Sequence, residues 1–260
     1  MSFPSVMLEA FSPPQAERKP NSIEVNPMER LDKRLANTGK WSRKEARELV
    51  RAGRARVDGE VCRAPEQKVD EAAPVTVDGA PIGAPGPVYL MLNKPAGVVS
   101  STDEPGERTV LDLLGEEYRH IGLFPAGRLD KDTEGLLLLT NDGQLAHRLL
   151  SPRHHVDKVY YVETDGILDE ADADAVRTGV TLADGYVCLP GELELLSGNR
   201  AYITLREGKY HQVKRMLAAR GKPVTYLKRV RFGPLLLDEE LPEGGWRALT
   251  EEERQALFRQ

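Results

Sequence analysis

The sequence predicts an α+β protein with a small N-terminal domain and a larger domain. The larger domain is expected to have a mixed, mainly antiparallel sheet with flanking helices. Strand-like and helix-like runs follow one another without the regular alternation of parallel α/β folds. A Pro-, Gly- and Ala-containing stretch at 74–87 has the composition of a linker. The chain of 260 residues is long enough for one small and one large folded unit.

The overall composition is that of an ordinary globular protein, with 40% hydrophobic and 30% charged residues. No apolar run approaches the ~20 residues that span a bilayer, and the N-terminus lacks the basic-then-apolar pattern of a secretory signal. The two cysteines, Cys62 and Cys188, are far apart and form no CxxC pair. This predicts free thiols rather than a disulfide or a zinc site. We therefore expect a cytoplasmic protein with no membrane partner.

Charge is distributed unevenly along the chain. The net charge of −5 by itself argues against a nucleic-acid partner. Residues 28–70, however, carry 12 Lys and Arg against 8 Asp and Glu. A local excess of this kind can create a positive face on an acidic protein.

The first 27 residues hold five prolines and show no periodic pattern, so we expect a flexible tail. Organised sequence begins abruptly at Met28. One hypothesis is that translation starts at this methionine, which the intact mass of the native protein would test.

Residues 28–73 predict two helices followed by a hairpin. Leucines at helical spacing indicate a first helix from residue 31 to about residue 39. A Ser-x-x-Glu capping box at 42–45 opens a second helix. A hairpin is expected over 54–62 because an Asp-Gly pair lies between its two strand-like halves.

This helix–helix–hairpin pattern resembles the S4 RNA-binding domain. The similar segments are Arg-Leu-Asp-Lys-Arg-Leu-Ala at 30–36, Ser-Arg-Lys-Glu-Ala-Arg at 42–47 and Val-Asp-Gly-Glu-Val at 57–61. The resemblance implies that basic side chains contact RNA phosphates, which would position RNA without reading its sequence. A solvated face is the alternative for the arginines that recur every fourth residue on the second helix. The residues expected to bind RNA here are Arg30, Lys33, Arg34, Arg43, Lys44, Arg47 and Arg51.

Residues 88–260 are expected to form the larger domain. An apolar run at 88–92 and a leucine-rich run at 136–140 predict buried strands. Other strand-like and helix-like runs are mixed, with no internal repeat. The strand-like runs lie at 158–163, 201–206 and 235–237, and the helix-like runs at 144–150, 169–177 and 211–220.

A polar loop precedes the leucine-rich strand and carries charges at alternate positions: Arg128, Asp130, Asp132 and Glu134. Function is often found on a loop that is tied to a core strand. An Asp held beside cations stays ionised at neutral pH and can act as a nucleophile or a base. By spacing alone, a solvated loop with ordinary ion pairs is the simpler interpretation. A carboxylate pair for glycoside hydrolysis needs a protonated acid and a defined separation, and the sequence indicates neither.

The same window resembles the central motif of RNA pseudouridine synthases, and more narrowly the RsuA-type branch that acts on ribosomal small-subunit RNA. The similar residues are Gly-Arg-Leu-Asp at 127–130 and Asp-Thr-x-Gly-Leu at 132–136. Further blocks occur in the family's order, so the resemblance covers nearly the whole chain from residue 28. These blocks lie at 93–97 (Asn-Lys-Pro-Ala-Gly), 140–143 (Thr-Asn-Asp-Gly), 151–155 (Ser-Pro-Arg-His-His), 158–160 (Lys-Val-Tyr), 207–216 and 249–252 (Leu-Thr-Glu-Glu).

The resemblance implies that Asp130 is the catalytic carboxylate, acting as a nucleophile at C1′ or as a base at C2′. Arg128 would occupy the place vacated by the flipped uridine or hold its phosphate, and Tyr160 would stack on the target base. Related synthases often carry an arginine that pairs with the carboxylate, but this chain has Lys214 there, and the adjacent Arg215 is the alternative partner. Isomerisation oxidises nothing and transfers no group away. We therefore expect no cofactor and no metal.

Two further segments are expected to contact RNA. Arg153 and His154 lie in the block at 151–155, where adjacent histidines lack a third ligand at metal-binding spacing. Lys209 precedes a helix-like run whose apolar residues share one face, and together with Lys214 and Arg215 it supplies positive charge. A solvated amphipathic helix is the alternative interpretation of this second segment.

We therefore expect the chain to isomerise one uridine of 16S ribosomal RNA, acting as a monomer on an assembling small subunit. Two alternatives stay open. One is a synthase of the sister branch that acts on 23S ribosomal RNA. The other is a non-catalytic RNA-binding factor in ribosome assembly.

Overall fold

The computed structural model describes residues 28–70, 72–82, 86–115, 118, 121–151 and 156–259. Within these ranges the chain forms two units, each with its own hydrophobic core. The core of the N-terminal unit is drawn from residues between Leu31 and Ile82. Three core clusters of the C-terminal unit are drawn from residues between Val88 and Leu257. The predicted tail at 1–27 lies outside the described residues.

The N-terminal unit contains two helices, a two-stranded sheet and a four-stranded sheet. Its elements are β1 (Met28–Arg30), α1 (Leu31–Ala36), α2 (Arg43–Arg51), β2 (Ala55–Val57), β3 (Glu60–Cys62), β4 (Lys68–Asp70), β5 (Val75–Val77) and β6 (Ala80–Pro81). Strand β1 pairs with β4, and the larger sheet has the order β3-β2-β5-β6. Helices α1 and α2 pack together over one core that includes Leu31, Leu35 and Ala46.

The helix–helix–hairpin prediction is confirmed in its local chemistry. The hydroxyl of Ser42 accepts a hydrogen bond from the Glu45 N–H (3.2 Å), and the Glu45 carboxylate accepts one from the Ser42 N–H (2.6 Å). This is the predicted capping box. Asp58 and Gly59 both have positive φ, at 51° and 85°. A two-residue turn with two left-handed positions matches the twist of the hairpin that it closes.

The predicted linker at 74–87 is wrong in its first half. Strand β5 pairs with β2 along its length, and Val75 and Val77 are buried. The composition indicated a linker, but the Val-Thr-Val alternation followed by Asp78-Gly79 is itself a hairpin signal. The folded unit extends to Ile82, whose N–H donates to the carbonyl of Val75. Residues 83–85 of the predicted linker lie outside the described part of the chain.

The C-terminal unit is built on a nine-stranded sheet. Its strands are β7 (Tyr89–Lys94), β8 (Phe124–Pro125), β9 (Glu134–Thr140), β10 (Lys158–Thr164), β11 (Glu192–Leu195), β12 (Arg200–Leu205), β13 (Val224–Phe232), β14 (Leu235–Leu236) and β15 (Trp246–Ala248). Seven strands follow the order β11-β12-β10-β13-β9-β7-β15, with β14 paired to β13 and β8 to β9. Every pair in this sheet is antiparallel except β9 with β13. The mixed, mainly antiparallel sheet is confirmed.

Four α-helices and one short 3₁₀ helix are described in this unit. They are α3 (Gly143–Leu150), α4 (Glu170–Thr178), α5 (Gln212–Ala219), α6 (Glu251–Phe258) and the 3₁₀ turn Val110–Leu113. The apolar side of α5 packs into a core cluster with residues of β10, β12 and β13. The apolar side of α3 packs into a second cluster with residues of β7 and β9. Among the described residues, no helix is long and apolar enough to cross a membrane.

The predicted strands and helices of the C-terminal unit are present, with bounds that shift by one or two residues. The strands β8, β11, β13 and β15 and the helix α6 were not predicted from the sequence. Both cysteines, Cys62 and Cys188, are free and buried.

The parallel pair β9–β13 joins the two halves of the large sheet and requires glycine at Gly135. This residue has a φ of +99°, and a Cβ there would lie 2.2 Å from the carbonyl oxygen of Arg229. The Arg229 side chain is fully buried, and its Nε donates to the carbonyl of Leu136 at 2.8 Å. The backbone of β13 and the Arg229 side chain thus both contact the start of β9. This start directly follows the loop that carries Asp130.

We predict that Gly135→Ala lowers the free energy of unfolding by about 3 kcal/mol, because the new methyl group would overlap backbone and stand at positive φ. Gly143→Ala is the matched control, since a Cβ at this exposed first position of α3 meets nothing within 4 Å. Its unfolding free energy should stay unchanged or rise by up to ~1 kcal/mol. Urea denaturation of both variants measures this. Equal stabilities would contradict the close approach.

Candidate active site

The loop that carries Asp130 is fixed at the backbone, while its side chain is partly exposed. The Ser100 hydroxyl donates to the carbonyl of Leu129 (2.9 Å) and accepts from the Leu129 N–H (3.1 Å). Leu129 is buried in the core beneath the loop. The Thr133 N–H donates to the carbonyl of Asp130 at 3.1 Å. The Asp130 carboxylate is therefore presented from a rigid support with 26% of its side chain exposed.

Lys94, at the end of β7, holds the same loop from below. Its ammonium is fully buried and donates to three carbonyls, those of Pro95 (3.0 Å), Lys131 (3.2 Å) and Thr133 (2.9 Å). Burial lowers the pKa of Lys94 to about 8, although the nearby carboxylates of the Asp130 loop oppose that shift. An ammonium has three donors, and here each meets one carbonyl. Lys94 was not predicted to have a role. Its position at the end of an apolar strand was the sequence feature that could have indicated a buried lysine.

The Asp130 carboxylate lies in a small ionic cluster. Lys214 Nζ is 3.0 Å from Asp130 Oδ2 and 2.5 Å from Asp132 Oδ1, and His211 Nε2 is 3.5 Å from Asp130 Oδ1. Burial works to lower the pKa of Lys214, but hydrogen bonds to the two aspartates outweigh it and raise that pKa. The Lys214 hydrogen bond lowers the pKa of the Asp132 carboxyl. Lys214 is thus held as a cation against Asp130.

Arg215, the alternative partner, points elsewhere. Its Nη2 lies 2.5 Å from Asp184 Oδ2, and its Nη1 donates to the carbonyl of Tyr210 at 3.4 Å. The two adjacent cations on α5 therefore have different partners. Lys214, and not Arg215, contacts the carboxylate of Asp130.

A hydrogen-bonded loop fixes the start of α5 and so the position of Lys214. Glu207 accepts from the Tyr186 hydroxyl (2.7 Å), from the Leu189 N–H (2.8 Å) and from the Gln212 side-chain amide (2.6 Å). The Gln212 oxygen in turn accepts from the Lys209 N–H at 2.9 Å. The two bonds of Gln212 close the loop between β12 and α5 on itself, and the bonds from Tyr186 and Leu189 tie that loop to the segment before β11. The sequence reasoning missed this network, because its members become neighbours only in the fold.

Tyr160 reaches the site from β10, in the middle of the sheet. It is half-buried and lies in register with Arg229 of β13. Burial lowers the pKa of the Arg229 guanidinium, and a hydrogen bond with the Tyr160 side chain partly offsets that effect. Arg229 Nη2 has no hydrogen-bond partner among the described residues. A buried cation therefore lies behind the tyrosine.

These side chains meet in one cleft. Four of the predicted site residues line this cleft: Arg128, Asp130, Tyr160 and Lys209. Its other walls are formed by residues that the sequence did not identify as part of a site. They are Leu129, Thr133, Leu205, Glu207, Gly208, His211, Gln212, Val213 and Leu227.

The predicted RNA-binding residues of the N-terminal unit have varied partners. Lys33 pairs with Glu29 at 3.1 Å, and Arg34 donates to two backbone carbonyls. Lys44 and Arg51 are exposed. The remaining arginines, at positions 30, 43 and 47, all contact Asp32. Arg153 and His154 lie outside the described residues.

The arrangement in the cleft is suited to nucleophilic or base chemistry by a carboxylate on a bound substrate. Within the described ranges, no group of three His, Cys, Asp or Glu side chains is arranged to hold a metal ion. The cleft combines the Asp130 carboxylate, the Tyr160 ring and the apolar side chains of Leu205, Val213 and Leu227. A carboxylate held this way can attack or deprotonate a bound substrate, and an aromatic face can hold a planar base.

Comparison with known proteins shows the family. The RNA pseudouridylate synthase model matches residues 88–219, and the S4 domain model matches residues 29–75. The chain belongs to the RNA pseudouridine synthase family.

Relatives cover nearly the whole length of this synthase. It is 49% identical over 233 residues to the RNA pseudouridine synthase YtzG of Bacillus subtilis, covering 88% of this chain and 98% of that one. It is 45% identical over 229 residues to ribosomal small subunit pseudouridine synthase A of Pseudomonas aeruginosa, covering 86% and 98%. A crystal structure of a pseudouridylate synthase matches with a TM-score of 0.64 and 36% identity, covering 88% and 99%. These matches confirm the predicted order of an S4 domain followed by a synthase domain.

The neighbouring cations on α5 allow a matched test. We predict that Lys214→Gln lowers the turnover rate by 100-fold or more, because it removes the charge beside Asp130; electrostatic groups in active sites contribute about this much. Arg215→Gln should change it by less than about 3-fold, since its partner Asp184 is an exposed side chain. Single-turnover conversion of uridine to pseudouridine measures both. Similar losses in the two variants would contradict the assigned pairing.

The buried lysines provide a second matched pair. Burial lowers the pKa of both Lys94 and Lys158 to about 8, but Lys158 donates to Val156 rather than to the Asp130 loop. We predict that Lys94→Met lowers turnover at least 10-fold with little change in RNA affinity, because three loop carbonyls lose their donor. Lys158→Met should remain within 3-fold of wild type. Wild-type turnover in Lys94→Met would show that the loop does not need this support.

Proposed function

We propose that this protein converts one uridine of 16S ribosomal RNA to pseudouridine, with Asp130 as its catalytic carboxylate. The observation that carries the proposal is the contact between Asp130 and Lys214, at a cleft that also presents Tyr160 and Arg128. The relatives named ribosomal small subunit pseudouridine synthase A support the choice of 16S over 23S RNA.

The reaction defines what the carboxylate must do. The N1–C1′ bond breaks, the uracil turns, and C5 bonds to the same C1′. The proton on C5 leaves to a base or solvent, and N1 ends with a proton. Asp130 acts at the ribose, either by attacking C1′ or by removing the C2′ proton. Both routes use the carboxylate as an anion, and Lys214 Nζ lies 3.0 Å from its Oδ2 atom.

The other side chains hold the extruded nucleotide. Tyr160 offers its ring to the uracil, as expected for a base that has left its stack. Arg128 is exposed at the edge of the cleft, where it can fill the vacated position or hold a phosphate. The apolar walls at Leu205, Val213 and Leu227 exclude water, which would otherwise capture the detached sugar.

The S4 domain and the rim of the cleft supply contacts to the RNA backbone. Lys209 lines the cleft and lies over the Tyr186 ring at 4.8 Å. The basic residues of the S4 domain extend this contact surface and raise affinity without reading bases. The protein would act as a monomer in the cytoplasm on an assembling small subunit, and Arg153 and His154 would contribute further RNA contacts.

Tritium release tests the proposed reaction and its substrate together. RNA labelled at uridine C5 is offered as 16S transcript, as a small-subunit precursor and as 23S transcript. We predict release by wild type from 16S RNA or its precursor, at one uridine per molecule, and none from 23S RNA. Asp130→Asn should bind the same RNA with unchanged affinity and release no tritium, because the amide cannot attack or deprotonate the ribose.

Three results would each overturn part of this proposal. Release by Asp130→Asn at the wild-type rate would remove the carboxylate from its role. Binding of 16S RNA without release by wild type, in transcript and precursor alike, would favour the non-catalytic assembly factor. Release from 23S RNA alone would assign the protein to the sister branch.

A further inference from the structure

One buried carboxylate of the S4 domain gathers three arginines. Asp32 lies in the first turn of α1 and is fully buried. Arg30 binds it in a bidentate manner, with Nε to Oδ1 and Nη2 to Oδ2 both at 3.0 Å. Arg47 Nε donates to Oδ2 at 3.0 Å, and Arg43 Nη2 lies 3.6 Å from Oδ1. The three cations come from two different segments and meet at one anion.

The charges in this cluster do not cancel. Burial works to raise the pKa of the Asp32 carboxyl, but hydrogen bonds from Arg30 and Arg47 and the charge of Arg43 lower it to about 2. Asp32 is therefore a full anion at neutral pH, facing three guanidinium groups that stay protonated. The three arginines exceed the single carboxylate of Asp32, and Glu66 is a further anion that acts electrostatically on Arg30.

The guanidinium groups face solvent while their partner does not. The side chains of Arg30, Arg43 and Arg47 are 41%, 48% and 45% exposed, against 0% for Asp32. A guanidinium has five N–H donors, and the contacts to Asp32 use only a minority of them. The remaining donors are available to an external acceptor.

Other charged side chains of this domain are arranged differently. Lys33 pairs with Glu29, and Arg54 pairs with Asp78, in each case as one cation with one partly exposed anion. Arg34 is committed to the carbonyls of Asp70 and Ala73. Among the described residues of the domain, Asp32 is an anion that is contacted by more cations than it can neutralise.

We propose that Asp32 is a positioning residue for RNA binding. It would hold Arg30, Arg43 and Arg47, which the S4 resemblance already implies as phosphate contacts, in one arrangement that receives a single backbone phosphate. The inference rests on the proposed function, since it assumes that the S4 domain holds the substrate RNA. A phosphodiester has two charged oxygens, which match paired N–H donors of guanidinium groups. Asp32 fixes three otherwise flexible side chains before RNA arrives, so less conformational entropy is lost on binding.

Removing the charge of Asp32 should change RNA affinity in the direction opposite to the one that net charge alone predicts. Asp32→Asn removes a negative charge beside three cations, so a purely electrostatic account predicts tighter RNA binding. The positioning account predicts weaker binding, because an amide cannot hold three guanidinium groups in place. Asp58→Asn is the matched control. It also removes one negative charge from the domain, at an exposed turn with positive φ that asparagine tolerates.

The experiment measures the dissociation constant of the full-length protein for a 16S transcript by filter binding, at several salt concentrations. We expect Asp32→Asn to bind at least 10-fold more weakly than wild type and Asp58→Asn to bind equally or more tightly. The dependence on salt should be shallower for Asp32→Asn, because fewer counterions are released. In turnover, KM should rise for Asp32→Asn while kcat stays unchanged, since the cleft is untouched.

A second set of variants keeps the inference testable if Asp32→Asn fails to fold. Arg43→Gln and Arg47→Gln alter exposed side chains and leave the buried carboxylate in place. Each should weaken binding at least 5-fold, whereas Arg54→Gln, taken from a one-to-one surface pair, should change it by less than 2-fold. When Arg30, Arg43 and Arg47 are all changed to Gln, a further change of Asp32 to Asn should not weaken binding any more.

Two results would overturn the inference. Folded Asp32→Asn that binds as tightly as wild type, or more tightly, would show that charge and not positioning governs this surface. Equal effects of Arg47→Gln and Arg54→Gln would show that no localised phosphate site exists. Binding needs no turnover, so these measurements remain decisive even if the protein proves to have no isomerase activity.

Discussion

The contact between Asp130 and Lys214 brings together two parts of the chain that are distant in sequence. The aspartate lies in the loop before β9, and the lysine lies on α5, which follows four strands (β9 to β12) later in the chain. The functional cleft requires both segments to be held firmly, because an ion pair of this kind orients its partners only when each backbone is fixed. Much of the surrounding structure serves that requirement, including the buried Leu129, the Ser100 bridge and the closed loop around Glu207.

Two buried cations support the site from behind. Lys94 binds carbonyls of the Asp130 loop, and Arg229 joins the backbone of β9 to the Tyr160 side chain. Burying a cation is costly unless its donors are satisfied, and the depressed pKa of Lys94 reflects that cost. The S4 domain uses the inverse arrangement, with a buried anion beneath exposed cations at Asp32. In both domains, a buried charged group contacts the more exposed groups to which we assign a functional role.

Local signals in the sequence were enough to predict the helix–helix–hairpin, the leucine-rich strand β9 and the polar loop before it, whereas the role of Asp130 in that loop came only from the family resemblance. The strand β13 could not be predicted in this way, because its Lys, Arg and Tyr residues obscure an alternating pattern in which Arg229 points inward. The sequence does not show that three arginines contact Asp32, because these side chains come together only after α1 and α2 pack. For the same reason, spacing alone left Lys214 and Arg215 equivalent, and the geometry of α5 separates them.

The central claim is that the cleft at Asp130 isomerises one uridine of 16S RNA. Chemical mapping of pseudouridine in 16S RNA from the native host tests it most directly. A strain that lacks the gene should lose modification at one uridine. Wild-type protein should restore that modification, and Asp130→Asn, expressed at the same level, should not. An unchanged modification pattern in the deletion strain, or full restoration by Asp130→Asn, would contradict the account.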